Sequence, residues 1–140
     1  MKRIFIDTNV MIDLLARRTP FYEEAKLIFS LVDIGRYTAV IAPISFSTAA
    51  YLLGRKLSFE ELSKQLRDFS SIVEIANIDE RIVRKSLSVS SQFHDIEDAM
   101  QHYAAMQADC NCIITRNIKD FIHSDIPVYT PKEFLNKEIG

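Results

Sequence analysis

Short, continuously apolar segments alternate along this chain with longer segments of helical periodicity. Residues 3–6, Arg-Ile-Phe-Ile, are typical of a strand that is buried on both faces. Four later segments, 38–42, 72–76, 112–115 and 128–130, have the same character. Strands that alternate with helices predict an α/β protein in which a parallel sheet lies between two helical layers, a three-layer α/β/α sandwich.

Capping residues mark where the helices begin and end. Thr8 predicts the start of the first helix, and Pro20 opens a second helix that Gly35 ends. Ser58 forms a capping box with Glu61, three residues further on. The predicted helices cover residues 9–16, 20–34, 43–56, 59–69, 80–89, 96–108 and the segment from 131 onward, the last three opened by Asp79, Asp95 and Pro131.

Length and composition limit the class of protein. The 140 residues fit one domain, residues 1–140, and a hydrophobic content of 48% is enough for a folded core. The net charge of −2 and the pI of 5.9 argue against binding of nucleic acid through overall charge. No apolar run approaches the roughly 20 residues that span a bilayer. We therefore expect a cytoplasmic protein with no membrane partner.

Two cysteines lie close together near the last third of the chain. Cys110 and Cys112 are separated by one residue, which is poor geometry for a disulfide, so we expect both to be reduced. His94 and His102 are not far away in sequence. A C-x-C spacing is nevertheless not that of a usual structural zinc site, and Cys112 begins a predicted buried strand, so zinc is not expected.

Four aspartates stand at positions that the predicted topology brings together. Asp7 ends the first apolar run, Asp95 and Asp98 open the helix that reaches Ala108, and Asp120 follows the run at 112–115. The carboxyl ends of parallel strands and the first turns of the following helices meet along one edge of a sheet. Converging carboxylates raise one another's pKa unless a cation lies between them. The expected cation is hard and oxygen-seeking, such as Mg²⁺ or Mn²⁺.

The helix that carries two of these acids has two distinct faces. Asp95, Asp98 and His102 lie together because positions i, i+3 and i+4 line up on a helix. Alternatively, Asp95 only caps the helix and Asp98 only complements its dipole. His102 is expected to be a surface residue rather than a ligand. The face expected to pack on the sheet comprises Ile96, Ala99, Met100, Tyr103 and Gln107.

Three phrases of the sequence resemble a known family. The phrase Asp7-Thr8-Asn9-Val10 follows a strand and resembles the opening of a PIN domain, the nuclease fold of the VapC toxins. Residues 95–101 resemble the D-x-E-D-A pattern of the family, and residues 115–121 resemble its T-R-N-x-x-D-F ending. The order, spacing and total length also match. The resemblance implies a five-stranded parallel sheet, binding of Mg²⁺ or Mn²⁺, and metal-dependent cleavage of RNA.

The resemblance also assigns roles to individual residues. Asp7, Asp98 and Asp120 are the expected catalytic residues and metal ligands, and Asp95 is a further candidate ligand. Asn9, Thr115 and Asn117 are expected to support the ligands through hydrogen bonds. Arg116 is a candidate for contact with the RNA backbone, with a solvated loop charge as the alternative. Arg17 and its neighbour Arg18 are candidates for contact with phosphates, with complementing the helix dipole as the alternative. Asp13 either faces the cleft or is an exposed helix charge.

The chain departs from the family pattern at two positions. Thr48 stands where the family usually places a Glu early in the third helix, and a neutral hydroxyl cannot supply the charge of a carboxylate. Asn117 stands where many relatives carry Asp, although Asn also occurs in one branch of the family. The first departure predicts lower metal affinity or weaker catalysis.

Three classes of function are compatible with these features. The first is a Mg²⁺- or Mn²⁺-dependent endoribonuclease, the toxin of a type II toxin–antitoxin pair, with an RNA substrate, a small antitoxin protein as partner and a homodimeric state. The second is a PIN-fold module that binds RNA or protein without cutting, favoured by Thr48 and by the acidic pI. The third, phosphoryl transfer to an aspartate, is disfavoured because Asn9 stands where those phosphatases place their second acid.

Overall fold

The computed structural model of the chain describes residues 2–93 and 95–139. His94, considered above as a zinc ligand, lies outside the described residues. The described residues form a five-stranded sheet of order β3-β2-β1-β4-β5 in which all neighbouring strands are parallel. The strands are β1 (Lys2–Ile6), β2 (Tyr37–Ile41), β3 (Glu74–Ile75), β4 (Cys112–Ile114) and β5 (Val128–Tyr129).

Seven α-helices connect or follow these strands. They are α1 (Thr8–Leu15), α2 (Tyr22–Asp33), α3 (Pro43–Leu53), α4 (Phe59–Ser70), α5 (Glu80–Ser88), α6 (Ile96–Gln107) and α7 (Pro131–Ile139). Two short 3-10 turns lie at Ser90–Gln92 and Ile118–Phe121. The predicted three-layer α/β/α architecture with a parallel five-stranded sheet is confirmed.

The alternation of side chains along the strands builds one apolar core on each face of the sheet. Ile4 and Ile6 point into a core shared with α1, α2, α3, α4 and α7, whereas Phe5 points into a core shared with α6. All three side chains are at most 1% exposed. A strand buried on both faces needs a continuous apolar run, which explains the composition of β1.

Local signals set most of the helix ends. Gly35 ends the second helix with a φ of +85°, a left-handed conformation that favours glycine. Its N–H donates to the carbonyl of Val32, and the N–H of Arg36 donates to that of Leu31. At the start of α4, the Ser58 hydroxyl accepts a hydrogen bond from the N–H of Glu61 at 3.2 Å. The predicted caps at these two positions are confirmed.

The predicted bounds differ from the structure at several ends. Asp7, not Thr8, occupies the position before α1, and the Thr8 side chain turns away to bond elsewhere. The second helix begins at Tyr22 rather than Pro20, and α3 ends at Leu53 because a turn occupies the three residues before Leu57. Strand β3 is two residues long at the sheet edge, since Ile72 and Val73 leave the strand to pack on the core.

We expect Ser58→Ala to lower the free energy of unfolding by about 1 kcal/mol, because one N–H in the first turn of α4 loses its acceptor. Urea denaturation of both proteins measures the change. The control is Ser47→Ala, an exposed serine inside α3 with no capping position. Equal effects of the two substitutions would contradict the capping role.

The strand topology brings the segments that follow β1 and β4 together at one edge of the sheet. Strands β1 and β4 are adjacent and parallel, and the N–H of Asp7 donates to the carbonyl of Ile114 at 2.9 Å. The segment after β1 therefore lies beside the segment after β4. No helix within residues 2–93 and 95–139 is long and apolar enough to cross a membrane.

Candidate active site

Asp7 lies at the carboxyl end of β1 and is 4% exposed. The hydroxyl of Thr115, the first residue after β4, donates a hydrogen bond of 2.8 Å to its Oδ2. The Thr115 hydroxyl in turn accepts from the N–H of Asn117 at 3.0 Å. Burial raises the pKa of the Asp7 carboxyl, and the hydrogen bond from Thr115 acts against that rise. Thr115 thus orients Asp7 and stabilises its charged form.

Asp98 and Asp95 share the first turn of α6. Asp95 precedes the helix, and its Oδ1 accepts from the N–H of Asp98 at 2.8 Å, so it does act as the N-cap. Asp98 is 6% exposed, and its Oδ2 is buried without a hydrogen-bond partner. Burial raises the pKa of Asp98 to about 8, and the negative charges of Asp95, Asp120 and Asp7 add to the effect.

Asp120 lies in the 3-10 turn after β4, and its N–H donates to the carbonyl of Asn117. Its negative charge also raises the pKa of Asp7. The structure therefore brings Asp7, Asp98 and Asp120 close enough to interact electrostatically. A cleft of about 430 Å³ beside Asp120 is lined by, among others, Phe93, Asn117, Lys119 and His123. A larger cavity, of about 570 Å³, lies around Lys2, Tyr37 and Phe134, away from these acids.

Carboxylates are the ligands that a hard divalent ion prefers, but those at this site would not surround such an ion completely. Burial is the main cause of the raised pKa values of Asp7 and Asp98, and the neighbouring negative charges add to it. The Oδ2 of Asp98 is in addition buried without a hydrogen-bond partner among the described residues. Within the described part of the chain, no three His, Cys, Asp or Glu side chains form a ready-made metal-binding group. Water and phosphate oxygens would therefore complete the coordination of an ion held by Asp7 and Asp98, as Mg²⁺ prefers.

Four polar residues beside the acids were missed from the sequence. The Thr8 hydroxyl lies 2.6 Å from the Ser45 hydroxyl on α3 and 3.4 Å from the Glu97 carboxylate on α6. The Thr8 N–H donates to the side-chain carbonyl of Gln101 at 3.3 Å. Burial and then the charge of Asp7 raise the pKa of Glu97, so this carboxylate faces the same cluster. The spacing of Glu97 and Gln101, four residues apart on one helix face, was the available signal.

The expected placement of His102 is wrong. His102 is 1% exposed, its ring packs on Phe93 and Tyr103, and its Nε2 accepts from the N–H of Asp125 at 3.1 Å. Burial lowers the pKa of His102. The predicted packing face of α6 is wrong at Ile96 and Gln107, which are exposed, whereas Ala99 is buried and Tyr103 packs on the core as expected. The buried residues of the helix are Asp98, Ala99, Gln101, His102, Ala104 and Ala105.

Asp13 is neither an exposed charge nor directed at the acids. It is 1% exposed, and its carboxylate binds Arg18 at 2.9 Å and Arg116 at 2.7 Å. The guanidinium of Arg116 also stacks on the ring of Phe21, 3.9 Å from its centre. Arg17 is exposed and lies outside this cluster. Its proposed contact with RNA stays a prediction.

Two further candidates have side chains that are at least partly exposed. Asn9 is exposed, and its backbone carbonyl accepts from Arg18 at 3.2 Å, while the hydrogen bond to Asp7 comes from Thr115. Thr48 on α3 is partly exposed, one helical turn after Ser45. It is Ser45 that contacts the cluster from α3.

A family model described as PIN domain matches residues 3–119. The chain belongs to the PIN domain family. The match contains the first two phrases of the sequence resemblance and the third as far as Lys119, and Asp120 lies one residue beyond its end. A comparison of the sequence with curated proteins gives no match.

Solved structures with this fold include toxins of toxin–antitoxin systems. The chain is 26% identical to a chain of a toxin–antitoxin complex from Klebsiella pneumoniae, with 91% of this chain and 97% of that chain covered and a TM-score of 0.69. A VapBC-1 structure from nontypeable Haemophilus influenzae gives 17% identity, 93% and 98% coverage and a TM-score of 0.68.

A Mycobacterium tuberculosis toxin described as cleaving the sarcin–ricin loop gives 12% identity, 79% and 86% coverage and a TM-score of 0.62. Likeness at the lower identities shows the fold alone. With the family match, these neighbours show that this PIN domain shares its fold with toxins of toxin–antitoxin systems.

Proposed function

We propose that this PIN domain is a Mg²⁺- or Mn²⁺-dependent endoribonuclease that acts in the cytoplasm as the toxin of a type II toxin–antitoxin pair. Its partners are an RNA substrate, a small antitoxin protein and a second copy of the chain. The observation that carries the proposal is the set of buried Asp7, buried Asp98 and partly exposed Asp120, which interact electrostatically at the carboxyl edge of the sheet. The antitoxin partner is proposed from the complexes formed by the structural neighbours.

The arrangement of the acids suits phosphodiester hydrolysis. A bound divalent ion lowers the pKa of a water ligand and offsets charge on phosphoryl oxygens. Asp7 and Asp98 would hold it, Thr115 fixes the rotamer of Asp7, and Asp95 keeps the first turn of α6 in place. Asp120, which lines the adjoining cleft, would orient the attacking water.

The direct test is cleavage of defined RNAs by the purified protein. Single-stranded and structured RNAs are incubated with Mn²⁺, with Mg²⁺ and with EDTA, and the products are separated on denaturing gels. Cleavage with either metal and none with EDTA is the expected result. Intact RNA in all conditions, combined with no metal binding by calorimetry, would overturn the proposal.

One observation favours a second function, a PIN domain that binds RNA or protein without cutting. The α3 position expected to carry a carboxylate holds Thr48, and the helix contacts the acidic cluster through the neutral hydroxyl of Ser45. A site with fewer negative charges has a lower affinity for a divalent ion. The carboxyl group of Glu97 beside Thr8 favours the first function, because it adds another acidic residue to the same region.

Thr48→Glu distinguishes the two functions. If the site is weakened by the neutral residue, we expect the added carboxylate to raise Mn²⁺ affinity and the cleavage rate by about tenfold, the scale of effects from groups around a metal site. Calorimetry measures the affinity, and initial rates measure the cleavage. The control is Ser47→Glu, an exposed neighbour on α3. Equal rates for parent and Thr48→Glu would show that Thr48 does not limit catalysis.

A further inference from the structure

We propose that Asp13 positions Arg18 and Arg116 as a paired binding site for the phosphate backbone of the RNA. The inference rests on the function proposed above, and it joins Arg18 and Arg116 into one phosphate-binding pair whose positioning residue is Asp13. The juxtaposition that supports it is a buried carboxylate on α1 held between two partly exposed guanidiniums, beside the carboxyl edge of the sheet.

The carboxylate of Asp13 is fully used by the two arginines. Its Oδ1 accepts from Nε of Arg18 at 2.9 Å, and its Oδ2 accepts from Nε of Arg116 at 2.7 Å. The side chain of Asp13 is 1% exposed, and a buried charge is tolerated only when it is paired. Phe21 supports the second arginine from the other side through its ring. Both guanidiniums are thereby fixed in direction.

The outward parts of the pair remain available to a ligand. The side chains of Arg18 and Arg116 are 36% and 27% exposed. The contacts they make among the described residues use Nε and Nη2 of each, so Nη1 of both is left for a ligand. A single structural ion pair would need one arginine, whereas two around one carboxylate leave a surplus positive charge.

The surplus charge lies next to the proposed reaction centre. Arg116 directly follows Thr115, whose hydroxyl binds Asp7. Arg18 donates to the carbonyl of Asn9, two residues after Asp7. The chain carries a net charge of −2 and its acids repel RNA, so a local cationic site would favour the approach of phosphate to them. Guanidinium N–H groups match phosphate oxygens in geometry.

Binding of RNA, measured without cleavage, tests the arginines. In an Asp7→Asn background, fluorescence anisotropy of a labelled single-stranded RNA gives Kd at several KCl concentrations. Arg116→Ala should weaken binding about five- to tenfold and lower the salt slope by about 0.7, the loss of one phosphate contact. Arg84→Ala is the matched control, since this arginine pairs with Glu80 on the exposed face of α5. We expect a change below about twofold for it.

Asp13→Asn tests positioning separately from charge. This substitution makes the protein more positive by one charge, which on charge alone would tighten RNA binding. Loss of positioning instead predicts weaker binding, by a factor similar to that of Arg116→Ala. If Asp13→Asn does not fold, Arg116→Lys replaces it, because lysine keeps the charge but cannot reproduce the fixed planar contacts. Circular dichroism verifies folding of each variant.

The outcomes separate this inference from the proposed function. RNA binding that is equally affected by Arg116→Ala and Arg84→Ala overturns the arginine pair. RNA binding by Asp13→Asn or Arg116→Lys that matches or exceeds the parent overturns the positioning role. In either case, metal-dependent cleavage by the unmodified chain would leave the nuclease proposal standing. Failure of the Asp7→Asn parent to bind RNA, together with no cleavage by the unmodified chain, overturns both.

Discussion

Replacing Asp7 by Asn is expected to reduce metal-dependent cleavage of RNA about a hundredfold or more, since even groups that only support a metal ligand change activity by 10- to 100-fold. Asn keeps the size of the side chain and can still accept the hydrogen bond from Thr115. It removes the negative charge that the proposed ion requires. Initial rates at saturating Mn²⁺ measure the effect, and calorimetry measures the accompanying loss of Mn²⁺ affinity.

The same substitution should leave the fold intact. Burial raises the pKa of Asp7, so the charged carboxylate is disfavoured by its surroundings and a neutral amide is not. The thermal midpoint of the metal-free variant is therefore expected to equal or exceed that of the parent. Asp68→Asn provides the matched control, because Asp68 lies on the exposed face of α4 in a surface ion pair with Lys64. Cleavage that survives in Asp7→Asn would come from a contaminating nuclease.

The fold follows from the sequence because its signals are local and agree with one another. Runs such as residues 3–6 have one stable environment, a strand covered on both sides, and the caps at Ser58 and Gly35 fix helix ends through local hydrogen bonds. The ends that differ lie where packing decides. Ile72 is of a residue type that is common in strands, yet here it packs on the core next to the sheet edge and is not part of β3.

The positions of the acids were also accessible to sequence reasoning. Asp7 and Asp120 each follow a strand, and parallel topology sends both to the same edge. The partners of the acids were not accessible in this way. Serine is common in the first turn of a helix, so the sequence does not single out Ser45. Its hydroxyl reaches Thr8 only because the fold brings α1 and α3 together.

His102 and Asp13 show why burial was misjudged. A polar residue on an amphipathic helix is assigned to solvent unless its partners are known. The partner of His102 is a backbone N–H 23 residues away, and a partner of Asp13 is a guanidinium 103 residues away. Helical periodicity contains no information on contacts at that separation. The topology must be known first, after which a polar residue on a buried face indicates a long-range partner.

Asp98→Asn is expected to make the stability of the metal-free protein less sensitive to pH. The pKa of Asp98 is about 8 in the folded protein, far above its ordinary value of 3.8. Between these values the folded state keeps a proton that the unfolded state has released. Stability attributable to this group is therefore present at low pH and is lost as pH rises, by at most about 1.4 kcal/mol per pH unit for one proton. The variant lacks that loss.

The measurement is urea unfolding in EDTA at pH 5, 6, 7, 8 and 9 for parent and variant. Asp7 and Glu97 also have raised pKa values and remain in both proteins, so the difference between the two curves isolates Asp98. We expect the variant to become the more stable protein relative to the parent as pH rises toward 8, with no further change above it. The substitution does not affect the hydrogen bond that the backbone N–H of residue 98 donates to the Asp95 carboxylate.

In the parent alone, bound Mn²⁺ is expected to offset the loss of stability that accompanies rising pH. A cation that binds Asp98 must displace its proton. Mn²⁺ affinity should therefore increase about tenfold for each unit by which pH is raised toward 8, and it should level off above pH 8. The Asp98→Asn protein should bind Mn²⁺ weakly and with a shallower dependence on pH. Parallel stability curves in EDTA would show that burial and the neighbouring carboxylates do not act on Asp98. Mn²⁺ binding that is equal in both proteins would remove Asp98 from the set of ligands.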